Sequence, residues 1–264
     1  MNSSLKLNYK AEHDLLILVY HKISETDISR RLHSCYSFPA KKLREQFQLI
    51  QRLGIPVVSL VNFSSECKPG IKIMLTFDDA NESDYKIVYP LLQEFNFKAA
   101  FFLPLNNIVS EKQWKEYGEL HEAGHIIASH GISHKYFTNM SASEIKFEII
   151  HSSEVIRKKT ESACEYFAFP GGRYNQNLLL TFSEFGFKNV FSTAFNFNLS
   201  NPLPFILNRW QIRNNTSIKE FNDVLLQRQT EIIKKKIRNY VINKSKFILG
   251  DKYFDNIRKI ILET

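Results

Sequence analysis

The sequence predicts an α/β protein, a distorted (β/α) barrel of seven to eight mostly parallel strands followed by a C-terminal helical tail. Three observations predict it. Short apolar runs alternate with amphipathic stretches almost from end to end, and glycines fall where the amphipathic stretches should stop. The third is size: 264 residues with 44% hydrophobic content can bury one large core. An open doubly wound sheet is the alternative packing of the same alternation.

Eight runs have the length and β-branched or aromatic content of strands: Leu15 to Tyr20, Ile55 to Leu60, Ile71 to Phe77, Ala99 to Leu103, Ile126 to Ser129, Tyr166 to Phe169, Asn189 to Thr193 and Phe205 to Ile212. Between them, residues 41–53, 85–95, 111–123, 142–159 and 176–185 place apolar side chains three and four apart, as helices with one buried face do. Gly54, Gly124 and Gly186 follow three of these helices, where a left-handed terminal residue is needed. The barrel domain is assigned to residues 1–218 and a basic helical extension to 219–264.

The formal charge is +8, and its distribution limits what it means. From 219 to 264 there are eleven Lys and Arg against six Asp and Glu, a surplus of five, which leaves about +3 for the body. Lys234, Lys235, Lys236 and Arg238 alternate with Ile232, Ile233, Ile237, Tyr240 and Val241, and further apolar residues follow at Phe247, Ile248, Leu249, Phe254 and Ile257. That pattern fits either a helix packed on the barrel or one lying on an anionic membrane surface. Nucleic acid is not an expected partner, because no recognition motif accompanies the surplus. Cys35, Cys67 and Cys164 are odd in number and widely spaced, which argues against a disulfide framework or a thiolate zinc site. With no apolar run of signal-peptide length near Met1, the expected location is the cytoplasm, with the inner membrane surface as the site of any lipid contact.

Chemistry concentrates at predicted strand ends. Asp78 and Asp79 close the run from Ile71, where one carboxylate can bind a cation while its neighbour handles protons; the same pair could instead cap the helix that follows. His130 and His134 follow the run ending at Ser129 and offer two imidazoles, although such a pair also occurs on polar helix faces and loops. One carboxylate with two imidazoles leaves a coordination position open, as catalytic metal sites do. His21 follows the first run, and Pro170-Gly171-Gly172-Arg173 follows the sixth. In a parallel barrel all of these would share the carboxyl-terminal rim. No G-x-G-x-x-G, phosphate-binding lysine loop or G-x-S-x-G is present, which removes the usual signals for nucleotide binding and serine hydrolysis.

Assembled, these residues resemble the polysaccharide deacetylase family, the carbohydrate esterases of chitin-deacetylase type, over most of residues 15–213. Thr76-Phe77-Asp78-Asp79 is similar to its T-F-D-D motif, Ser129-His130-Gly131-Ile132-Ser133-His134 to its S-H-T-x-x-H motif, and residues 167–173 to its proline-glycine motif. Leu18-Val19-Tyr20-His21 resembles the M-Y-H opening of one branch. The resemblance implies a hydrolase that removes acetyl groups from an N-acetylhexosamine in a glycan, glycolipid or activated sugar. It implies that Asp79, His130 and His134 hold a divalent metal, usually Zn2+, with Co2+, Ni2+ or Mn2+ as alternatives. Asp78 would then be the base, and a backbone N–H near Pro170 and Gly171 would face the oxyanion.

Three departures from the family pattern matter. No histidine follows His151, so the acid usually supplied late in the domain falls to His21, as the Y-H branch implies. Ala168 stands where many members carry an arginine that orients the catalytic aspartate, and Arg173 or Arg209 is the expected replacement. Ala80 and Gly131 replace a more usual glycine and threonine without removing a ligand. Trp210 joins Arg173 and Arg209 among the expected substrate-side residues. A carbohydrate-binding member that has lost turnover is the alternative function, and O-deacetylation or deformylation the alternative reactions.

Overall fold

The structure is a computed structural model that describes residues 14–25, 37–60, 70–199, 203–238, 240–241 and 244. Its elements run β1 (Leu15–Tyr20), β2 (Ile23–Ser24), β3 (Phe38–Pro39), α1 (Ala40–Arg52), β4 (Lys72–Asp78), α2 (Tyr89–Glu94), β5 (Ala99–Leu103), α3 (Glu111–Glu122), β6 (Ile126–Ser129), α4 (Ala142–Thr160), β7 (Tyr166–Ala168), α5 (Gln176–Glu184), β8 (Asn189–Phe191), β9 (Ile206–Leu207), β10 (Arg209–Gln211) and α6 (Ile218–Leu225). Eight strands form one sheet in the order β10-β1-β4-β5-β6-β7-β8-β9, every pairing parallel. This is the predicted distorted (β/α) barrel.

The two faces of the sheet divide the apolar residues by alternation. Leu15, Ile17, Met74, Ala100, Phe102, Ala128, Tyr166, Ala168, Phe191 and Leu207 meet inside the barrel. Leu16, Leu18, Tyr20, Ile73, Leu75, Phe77, Phe101 and Leu103 face the helices instead. On that outer face Tyr20, Phe77 and Phe101 stack in sequence across β1, β4 and β5, with ring centroids 5.3 and 5.4 Å apart. Helices end as the sequence suggested: Gly54, Gly124 and Gly186 take φ of +66°, +85° and +79°, which costs a glycine little.

The sheet closes through one divided strand. Residues 205–212 were expected as a single run, and the chain does pass straight from β9 to β10, but Asn208 separates them. Before the break the chain pairs with β8, as Val190 with Ile206; after it the partner is β1, as Ile17 with Arg209. Asn198 satisfies the polar groups that this switch exposes. Its Oδ1 accepts from the Asn208 N–H at 2.7 Å, its Nδ2 donates to the carbonyls of Asn208 and Leu15 at 2.9 and 3.3 Å, and its backbone exchanges two hydrogen bonds with Leu15. Asn198 is buried, so an apolar residue there would strand those groups away from water.

Two expectations need correction. Residues 55–60 form no strand: only Val57 bridges Ile73, because β5 takes that edge of β4 from Leu75 onward. The helix expected over 85–95 begins as a wide π turn, Asp84–Val88, before α2; Pro90, at the start of α2, has no N–H for a regular turn to use. Beyond residue 218, Phe221, Val224, Leu225 and Ile232 pack in the core of β1 and β4. A further helical stretch follows over 229–238. Ile233, Ile237, Tyr240 and Val241 are exposed, whereas Phe247, Ile248, Leu249, Phe254 and Ile257, like Cys35 and Cys67, lie outside the described residues. Among the described residues no helix is long and apolar enough to cross a membrane.

Candidate metal centre and catalytic rim

Parallel strands send every carboxyl-terminal end to one rim, and the chemistry-bearing residues collect there. Asp78 is the last residue of β4 and, by alternation, points into the barrel mouth. Asp79 follows with φ +82° and Ala80 with φ +53°, left-handed values that a non-glycine residue adopts at a cost of about 1–2 kcal/mol each. This turn directs consecutive carboxylates to different partners. It is held by the Asn81 side chain, which donates to Asp78 O at 3.1 Å, and by the Asn81 N–H, which donates to buried Asp84 at 3.2 Å.

Asp79 meets the two histidines. His134 Nε2 lies 3.1 Å and His130 Nε2 3.8 Å from Asp79 Oδ1, and one ligand atom of each residue falls within 4.8 Å of the other two. Ligand atoms about 2.0–2.2 Å from a tetrahedral Zn2+ are themselves about 3.4 Å apart. The separations bracket that value, so this donor set fits a zinc-like cation. His130 is oriented from behind: its Nδ1 lies 2.6 Å from the Ala168 carbonyl on β7, a contact in which the ring donates, leaving the Nε2 lone pair available to a cation. Burial pushes the His130 imidazole down to about 4 despite the charge of Asp78, so the ring is neutral at neutral pH. Burial opposes ionisation of Asp79, but the hydrogen bond from His134 and the charges of His21, His130 and His134 hold its carboxyl well below the usual carboxylate range. His134, the outermost of the three, leaves 40% of its side chain exposed and marks the open side of the site.

Asp78 has a different partner. Arg209, fully buried on β10, grips it with a planar fork, Nη1 to Oδ1 and Nη2 to Oδ2, both at 2.8 Å. The guanidinium also donates from Nε to Ser192 O at 2.9 Å and from Nη1 to Thr76 Oγ1 at 3.3 Å. Of the two arginines expected near the catalytic aspartate, Arg209 is therefore the one on Asp78. Arg173 instead lies over the Tyr136 ring, 3.8 Å from its centroid. His21 follows β1 on the same rim; burial lowers its pKa, while the nearby charges of Asp79 and Asp78 raise it.

Pro170, Gly171 and Gly172 make a tight turn after β7. A Cβ on Gly171, at φ +63°, would meet Tyr136 at 2.6 Å, and one on Gly172, at φ +68°, would lie 2.1 Å from Thr193 Oγ1 and 2.3 Å from its backbone nitrogen. Gly172→Ala is expected to lower stability by about 3 kcal/mol, the sum of overpacking and left-handed strain, measurable by urea unfolding. Trp210 does not join the site. One residue from Arg209 it faces the opposite side of the sheet, stacked on Phe221 at 5.6 Å and beneath Lys235 at 4.3 Å. Glu148 was missed in the sequence: from α4 it accepts hydrogen bonds from the Ile132 and Ser133 N–H groups, between the two histidines.

Comparison with known proteins agrees with this geometry. Residues 65–190 match the family model described as polysaccharide deacetylase. Over 184 residues the chain is 25% identical to YxkH of Bacillus subtilis (strain 168), a candidate polysaccharide deacetylase, covering 66% of this chain and 62% of that protein. Over 120 residues it is 28% identical to the peptidoglycan-N-acetylglucosamine deacetylase of Bacillus cereus, covering 45% of this chain and 43% of that one. The chain thus spans less than two thirds of the length of either curated relative. Among solved structures, the Streptococcus pyogenes deacetylase PplD in complex with acetate superposes with a TM-score of 0.67 at 23% identity, covering 82% of this chain and 98% of that one, a likeness of fold. The matched segment contains Asp78, Asp79, His130, His134 and the Pro170–Gly172 turn, and over residues 65–190 the chain carries the polysaccharide deacetylase domain of that family model.

Proposed function

We propose that this chain is a metal-dependent de-N-acetylase that hydrolyses the acetamido group of an N-acetylhexosamine within a glycan, glycolipid or activated sugar. The observation that carries the reading is the division of labour at the rim: Asp79, His130 and His134 converge on one point while Asp78 is held beside it by Arg209. The likeness to the peptidoglycan-N-acetylglucosamine deacetylase of Bacillus cereus supports an N-acetylglucosamine substrate. A divalent cation held by Asp79, His130 and His134 would supply Lewis-acid polarisation and would lower the pKa of bound water.

The protein's own groups do the rest. Asp78, oriented by two hydrogen bonds from Arg209, takes the proton of the attacking water as its oxygen forms a bond to the acetamide carbon. The Pro170–Gly172 turn presents backbone to the developing oxyanion, where a preorganised donor contributes about 3 kcal/mol. His21 protonates the departing amine; the C–N bond breaks to give acetate and the free amino sugar. The position of His21 on the rim, beside the charges of Asp79 and Asp78, supports this assignment.

Purified full-length protein supplied with Zn2+ or Co2+ is expected to release acetate from N-acetylglucosamine oligomers or peptidoglycan, and to stop when a chelator is added. His21→Ala is expected to lower turnover about 10²- to 10⁴-fold, the usual contribution of a positioned acid. Metal-loaded protein that releases no acetate from any such substrate would overturn the reading in favour of a carbohydrate-binding member.

A further inference from the structure

The loop between the two histidines is not helical, so nothing regular dictates where His134 points. Gly131 has φ +83° and His134 φ +56°, and the loop is tied down from two sides. Its carbonyls accept from the loop after β5, Leu105 N–H to Gly131 O and Asn106 N–H to Ile132 O, both at 3.0 Å. Its N–H groups point the other way. Gly131 N–H donates to Ser129 Oγ at 3.0 Å, and both Ile132 and Ser133 donate to the carboxylate of Glu148, the latter at 3.2 Å to Oε2 and 3.3 Å to Oε1. Glu148 is buried on α4, sixteen residues from Ile132. A buried carboxylate is costly unless it is well hydrogen-bonded, and these two backbone donors stabilise it.

Position 131 explains why the carboxylate can be there. A Cβ on Gly131 would lie 2.9 Å from Glu148 Oε2 and 3.2 Å from the Phe137 ring. A side chain at residue 131 would therefore crowd this carboxylate, and the left-handed φ of +83° itself favours glycine.

We propose that Glu148 is a positioning residue for His134. The proposal rests on the reading of Asp79, His130 and His134 as cation ligands. Glu148 acts through the backbone: it fixes the turn that carries His134 toward Asp79. Partners that orient metal ligands in this way typically change metal affinity about 10- to 100-fold when removed.

The test is a competitive Zn2+ titration of the full chain against a chromophoric chelator, for the parent and for His134→Ala, Glu148→Ala and Glu148→Gln, together with visible spectra of the Co2+-saturated proteins. The parent is expected to bind and His134→Ala to bind far more weakly. Glu148→Ala is expected to lose about 100-fold in affinity, and Glu148→Gln, which keeps one acceptor oxygen, about 10-fold. The Co2+ bands of both Glu148 variants should differ from the parent at saturation, which a loss of general stability would not produce. Parental affinity and parental spectra in the Glu148 variants, with His134→Ala impaired, would overturn the positioning role and spare the ligand assignment. If Glu148→Ala fails to fold, the same result in Glu148→Gln alone decides against it. A parent that binds no Zn2+, or a His134→Ala variant with parental affinity, would overturn the ligand reading and this inference with it.

Discussion

Arg209→Ala is expected to destabilise the protein by about 3–5 kcal/mol, because it leaves the carboxylate of Asp78 buried without its cation. Both partners are almost fully buried, and four hydrogen bonds converge on the guanidinium, so water cannot substitute for what is removed. Arg209→Lys should recover only part of the loss: an ammonium is a point charge and cannot present the parallel pair of donors that sets the plane of Asp78. Urea unfolding followed by circular dichroism measures the effect, with Lys188→Ala as control. Lys188 pairs with Glu165 at 2.7 Å, but 58% of its side chain is exposed, and water and salt screen such pairs so that they add little to stability. An Arg209→Ala loss no larger than the control would show that the buried pair does not hold the barrel mouth together. Because Arg209 also aims the proposed base, both Arg209 variants are expected to lose turnover beyond what reduced folded population explains.

Asp78→Asn and Asp79→Asn are expected to fail in opposite ways, although the residues are adjacent. Asp79 faces His130 and His134, so its amide variant should lose metal affinity by at least about 100-fold. Asp78 faces Arg209, so its variant should still bind metal while turnover falls about 10²- to 10⁴-fold, the range for a lost general base. Zn2+ titration and acetate release on the same preparations separate the two. Equal loss of metal in both variants would mean that Asp78 is a ligand as well and that the proton acceptor lies elsewhere.

Much of the site is legible in the sequence because strand ends are. An apolar run that stops at Asp78, or at Ser129 just before His130, announces which residues reach the rim of a parallel barrel. Gly54, Gly124 and Gly186 mark helix ends for an equally local reason. What escapes is set by pairings distant in sequence. Arg209 and Asp78 are 131 residues apart, and either Arg173 or Arg209 suits the role until the strands are placed. Trp210 looks like a neighbour of Arg209 along the chain, yet period-two alternation sends it to the far side of the sheet. Glu148 reads as one more acid on a helix, with no local signal that its carboxylate reaches a loop sixteen residues earlier. The break at Asn208 is hidden because a strand that changes partners midway keeps the composition of an ordinary one.

That divided strand also has a temporal meaning. Until residues 205–211 dock, β1 and β8 each keep an unpaired parallel edge, and Asp78 has no guanidinium to neutralise it. During synthesis the first six staves emerge well before Arg209, so the nascent barrel spends that interval as an open, sticky sheet with an uncompensated charge at its mouth. Ring closure and arming of the proposed base are then a single late event: the segment that seals the fold also delivers the residue that aims Asp78.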